Sequence, residues 1–191
     1  MKKVILLLLA LLLVNSMSAQ VEDHLKFMGV PITGTLTEFV AKMEKKGWKS
    51  DYNNDYAIVM KGTFANEEAE LYIISSRTTH TVWKVAVLLN NEYTSWYSLK
   101  EDYNSWKALY SEKYGEPRSY EFFKRPYYEG DGYELQAVEL GKCSYISFYD
   151  VPLGGMIVEI SDDKKIQLSY EDKLNSDLQG QERKKNAMED I

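Results

Sequence analysis

A single cysteine, Cys143, excludes any disulfide within the chain, so whatever fold the sequence adopts must be held by burial. Imidazoles are almost as scarce. Only His24 and His80 are present, and nucleophilic catalysis needs a base within reach of its nucleophile and a group that orients the base. His24 stands near the N-terminus, His80 lies in a polar stretch between two strand-like runs, and Cys143 reads as a packed, inert thiol. Two separated histidines and one cysteine have no zinc-ligand spacing. No G-x-S-x-G occurs, so the hydrolase elbow is missing. Gly154-Gly155 precedes a strand-like run rather than a helix, which leaves no helix N-terminus to receive a phosphate. Asp51, Asn53 and Asp55 match the first three ligand positions of a calcium loop. Tyr56 and Gly62 then stand where that loop needs glycine and glutamate, so the stretch reads as a polar turn. No catalytic set, metal or cofactor is expected.

Long apolar runs are also lacking, with one exception. Lys2 and Lys3 precede an unbroken apolar run from Val4 to Val14, followed by the small and polar residues Asn15 to Gln20. As a helix that run would rise about 16 Å, half of a hydrocarbon core of about 30 Å. It has the layout of a secretory signal peptide over residues 1–19, cleaved after Ser18 or Ala19. The expected mature protein is exported, periplasmic or secreted, with no transmembrane segment. Of the 23 basic residues, loss of Lys2 and Lys3 leaves 21 against 29 acidic ones, a formal charge of −8. That balance argues against nucleic acid or anionic lipid as a partner.

What is present in quantity is aromatic: 15 Tyr and 4 Trp, ample for a core. Thr35-Leu36-Thr37-Glu38 is a capping box opening a helix whose Leu36, Phe39, Val40 and Met43 share one face, ended by Gly47. Ser98-Leu99-Lys100-Glu101 repeats the box. Leu99, Tyr103, Trp106, Tyr110 and Tyr114 then form a stripe at helical spacing, ended by Gly115 and Pro117. Strand-like runs follow each helix: 56–61, 70–75 and 82–89 after the first, then 121–124, 134–140, 144–149, 156–160 and 166–170 after the second. Their connections are too short for parallel crossovers, so the pairing is antiparallel. The pattern predicts an α+β fold in which an α-β-β-β unit is used twice, over residues 20–92 and 93–171, with helices covering an antiparallel sheet. A charged tail, 172–191, is expected to be helical to about Leu178, interrupted by Gly180 and frayed beyond it.

An export signal followed by two helix-plus-antiparallel-sheet units resembles the β-lactamase-inhibitor-protein-like architecture, which small outer-membrane-assembly lipoproteins share. The chain departs from the inhibitors in lacking paired cysteines and from the lipoproteins in lacking a lipidation cysteine. The resemblance implies non-catalytic protein binding and carries over no functional residue.

One stretch stands out. Tyr120 to Tyr133 holds six aromatics in fourteen residues, interrupted by Pro126, Gly130 and Gly132. Tyr127, Tyr128 and Tyr133 are therefore candidates for exposed anchors, since tyrosine is favoured where a protein meets a partner or a sugar. A second cluster, Tyr93, Trp96 and Tyr97, precedes the second helix and extends such a surface. The expected function is an exported binding module for a protein partner, with a small ligand or a glycan such as a cell-wall fragment as the alternative, and a carboxylate hydrolase as a more remote one.

Overall fold

The computed structural model describes residues 24–191, so the expected signal peptide and its cleavage site lie outside the described residues. The first described element is a small hairpin, β1 (Lys26–Phe27) and β2 (Val30–Pro31), turned by Met28 at φ 47° and Gly29 at φ 78°. Two adjacent residues at positive φ make the tight turn that matches strand twist, and the sequence gives little warning of strands so short.

The capping box then opens α1 (Leu36–Glu44) as expected. The Glu38 amide donates to Thr35 Oγ1 at 3.3 Å, and the Thr35 amide donates to Glu38 Oε2 at 2.9 Å. Four strands follow: β3 (Lys49–Asn53), β4 (Ala57–Phe64), β5 (Glu67–Ser75) and β6 (Val82–Leu89). Next come α2 (Trp96–Tyr114), β7 (Arg118–Phe123), α3 (Glu134–Glu139), β8 (Cys143–Val151), β9 (Gly154–Ile160), β10 (Ile166–Asp172) and α4 (Lys173–Glu189). Strands β3 to β10 form one antiparallel sheet in the order β3-β4-β5-β6-β10-β9-β8-β7. Among the described residues, four helices accompany that sheet and the β1–β2 hairpin, an α+β architecture.

Register explains the core. Met60, Leu71, Val87, Leu168, Val158 and Ser147 are successive cross-strand neighbours, so they lie in one row on one face. All six are buried, and Phe39 and Met43 of α1 join one core cluster with Leu99, Tyr103, Trp106 and Tyr110 of α2. Both helices therefore cover the same face. Gly62 on β4 belongs to this packing: a Cβ there would meet the Trp48 ring at 2.6 Å, so only glycine lets the indole lie against the strand. The opposite face carries Tyr72, the Lys84–Glu171 ion pair at 2.8 Å, Glu159 with Gln167, and the exposed Tyr120 and Phe122.

Several expectations are corrected. The second helix starts three residues early: Ser95, not Ser98, is its cap, and the Ser98 amide donates to Ser95 Oγ at 3.2 Å. Of residues 134–140, expected to be extended, 134–139 are helical and Leu140 is the cap. Glu134, Ala137 and Val138 are the buried positions, a helical spacing, in a segment of good helix formers. The stretch at Asp51 is the edge strand β3, exposed along its length and so without an apolar face to betray it. The turn comes later, where Asn54 Oδ1 accepts from the amides of Tyr56 and Ala57. Four strands, not three, follow α1. Helix α4 runs unbroken through Gly180 to Glu189.

Candidate functional site

The N-terminus of α2 and the β7–α3 loop meet at the carboxylate of Glu129. Trp96, in the first turn of α2, packs edge-on against Phe123 at 5.1 Å and Tyr145 at 4.9 Å between ring centroids. Its indole Nε1 donates to Glu129 Oε1 at 3.4 Å. Lys100, one turn along, forms an ion pair with the same oxygen. The Tyr145 hydroxyl donates to Glu129 Oε2 at 3.2 Å. The Lys100 ammonium, foremost among these donors, holds the Glu129 carboxyl below the usual range. Glu129 is thus a charged clamp between loop and helix at neutral pH.

The rest of the loop is held by its own acids. Asp131 accepts from the Tyr128 amide at 3.0 Å and from the Tyr133 amide at 2.8 Å, one oxygen to each. The buried Glu134 accepts from the Gly130 amide at 2.7 Å. Gly130 and Gly132 take φ values of 91° and 79°, which let the chain double back around Asp131. Every one of these bonds is local, so the aromatic side chains stand on a backbone already fixed.

The six residues singled out by sequence divide evenly. Tyr97, Tyr128 and Tyr133 are 73%, 64% and 62% exposed. Trp96 and Tyr127 are half-buried, and so is Tyr93, whose hydroxyl bonds Asp102 on α2. Tyr93 and Trp96 pack against the core cluster and position the site. Two open depressions lie among these residues. One, of about 550 Å³, is lined by Trp96, Tyr97, Lys100, Asn104 and Glu129. The other, of about 410 Å³, is lined by Pro126, Tyr127, Tyr128, Tyr133 and Gln136. Glu129, Asp131 and Lys100 escaped the sequence reading, because a carboxylate in a polar loop looks solvated until its donors are placed.

Nucleophile and base do not converge here. Cys143, half-buried at the start of β8, has its thiol pushed up to about 12 by burial and by Glu129. His80 stacks on Tyr56 at 5.9 Å and His24 bonds Asp172 at 3.0 Å, and neither hydrogen-bonds Cys143. Among the described residues no group of three or more His, Cys, Asp or Glu side chains is placed to hold a metal ion. No helix among them is long and apolar enough to cross a membrane. Asp51 pairs with Lys61 at 2.9 Å. Compared with models of protein families, with curated proteins and with solved structures, the chain matches none.

Proposed function

We propose that the protein is an exported, non-catalytic module that recognises a protein partner through Tyr97, Tyr128 and Tyr133, in the periplasm or outside the cell. The observation that carries this reading is the fixed backbone beneath the exposed tyrosines. Asp131 binds the amides of both Tyr128 and Tyr133, and Glu129 ties their loop to the helix that bears Tyr97. A surface ordered before association loses little conformational freedom on binding, and tyrosine supplies large contact area with few rotatable bonds. The apolar run with its basic start supports export.

We also read the sheet as a helix-plus-four-strand unit used twice, α1 with β3–β6 and α2 with β7–β10, joined at β6 and β10. The strand order supports this, since it runs outward from that junction to β3 on one side and β7 on the other. In this reading β6 answers β10, and α3 is an insertion in the second unit.

The test is capture of a stoichiometric partner by the tagged protein from its own envelope and medium, beside the double variant Tyr128→Ala, Tyr133→Ala. Retention of the partner is expected to fall at least about tenfold in the variant, with Tm changed by less than about 1 °C. Equal retention by both proteins would refute the tyrosine surface.

A further inference from the structure

A second recess shares no residue with the tyrosine surface. It lies between α4 and the ends of β4, β5 and β6, and has a volume of about 530 Å³. On the helix side, Gln179, Glu182, Arg183 and Asn186 line it, spaced so that they share one face of α4. Across from them stand Arg77 and Trp83.

Three features of this recess call for a ligand. The Arg77 guanidinium lies 5.3 Å from the centroid of the Tyr56 ring, and stacking of that kind fixes its plane while leaving the N–H donors at its edge to fork a carboxylate. Neither Arg77 nor Arg183 pairs with a carboxylate among the described residues. Both oxygens of Glu182 are screened from water and accept no hydrogen bond, a costly state for a carboxylate. The recess thus offers cations for an anion, a carboxylate short of donors, and an indole beside the aliphatic Ile74.

We propose that this recess binds an acidic sugar. Its carboxylate would pair with Arg77 and Arg183, its hydroxyls would give Glu182 the donors that it lacks, and its C–H face would rest on Trp83. A phosphate ion can pair with the arginines but has no C–H face to rest on Trp83 and fills only a fraction of the space. A zwitterionic amino acid meets both charges but fills only a fraction of the space, which lies in the range of ligand pockets that take one or two rings.

The experiment is titration calorimetry of the mature protein with digalacturonate and a glucuronate-containing disaccharide, each beside its neutral, carboxyl-reduced counterpart. The acidic sugars are expected to bind at least about tenfold more tightly than the neutral ones, the scale of one charge-assisted contact. Arg77→Gln and Arg183→Gln are each expected to weaken them by at least about tenfold, while Tyr128→Ala leaves them unchanged. Equal affinity for acidic and neutral sugars, no binding of either acid up to about 10 mM, or binding indifferent to both arginine variants would overturn the proposal. The comparison between acidic and neutral sugars uses the unaltered protein, so it stands even if a variant fails to fold. The Tyr128→Ala control keeps the outcome separate from that of the tyrosine surface.

Discussion

At the scale of single residues, environment decides what each reactive group can do. The Cys143 thiol is the clearest case. Burial, with a smaller contribution from the Glu129 carboxylate, pushes it up to about 12. At pH 8 its thiolate fraction is on the order of 10⁻⁴, and the thiolate is the form that attacks. Iodoacetamide is therefore expected to label the native protein slowly at pH 8 and rapidly in denaturant, with the native rate rising about tenfold from pH 8 to pH 9. Mass spectrometry at timed intervals reads this directly, and native labelling as fast as denatured labelling would show an accessible thiol of ordinary acidity. The tyrosines divide by the same logic. Tyr93 and Trp96 have hydroxyl and indole partners on neighbouring elements, Asp102 and Glu129, and turn inward. The amides of Tyr128 and Tyr133 both bind Asp131, and their rings remain exposed. Sequence marked three of the six as aromatics around a loop and three as a cluster ahead of the second helix. Which of them face water depended on carboxylates whose donors lie up to 33 residues away in the chain.

At the scale of elements, the stripe on α2 is the principal buttress of the second half of the sheet. Trp106 is 7% exposed, its ring 6.0 Å from Phe64 and 6.4 Å from Tyr110. Trp106→Ala is expected to destabilise by about 3–5 kcal/mol, because the strands beneath it cannot close on a space of that size. Urea unfolding measures it, and a change below about 0.5 kcal/mol would mean that the stripe is not a core face. This stripe was legible because five large residues at steps of three and four have only one economical arrangement. Strands β4 to β6 and β8 to β10 were legible for a similar reason, each having an apolar face toward the helices. The elements that sequence missed lack such a face. β3 is exposed along its length, β1 and β2 have two residues each, and the short run 134–140 fits either a helix or a strand until burial selects positions 134, 137 and 138. Helix α4 outlasts Gly180 because its start is anchored by Asn175 and its far end reaches Thr78 through Asn186, contacts that local sequence does not encode.

At the scale of the molecule, one polar junction ties the N-terminal hairpin, the centre of the sheet and α4 together. Asp172 is fully buried where β10 passes into α4. Its carboxylate accepts from His24 Nδ1 at 3.0 Å, from the Leu25 amide at 2.8 Å and from the Asn175 amide at 3.0 Å. Asn175 in turn donates from Nδ2 to the Ile32 carbonyl at 2.9 Å and to the Val82 carbonyl at 3.2 Å, one just after β2 and the other opening β6. Residues separated by up to 148 positions in the chain are thereby joined through two side chains. Asn175→Ala removes the donor to both carbonyls at a site only 5% exposed. Leaving two buried carbonyls short is expected to cost about 2–4 kcal/mol, which for a chain of this length lowers Tm by roughly 5–15 °C. Because the junction holds three parts of the fold at once, the variant should still unfold in a single transition, with α4 amides exchanging no faster than those of β6 relative to the lowered stability. Calorimetry and hydrogen exchange together decide the matter. An unchanged Tm with freely exchanging α4 amides would make the helix an appendage, and would remove the wall on which the second recess depends.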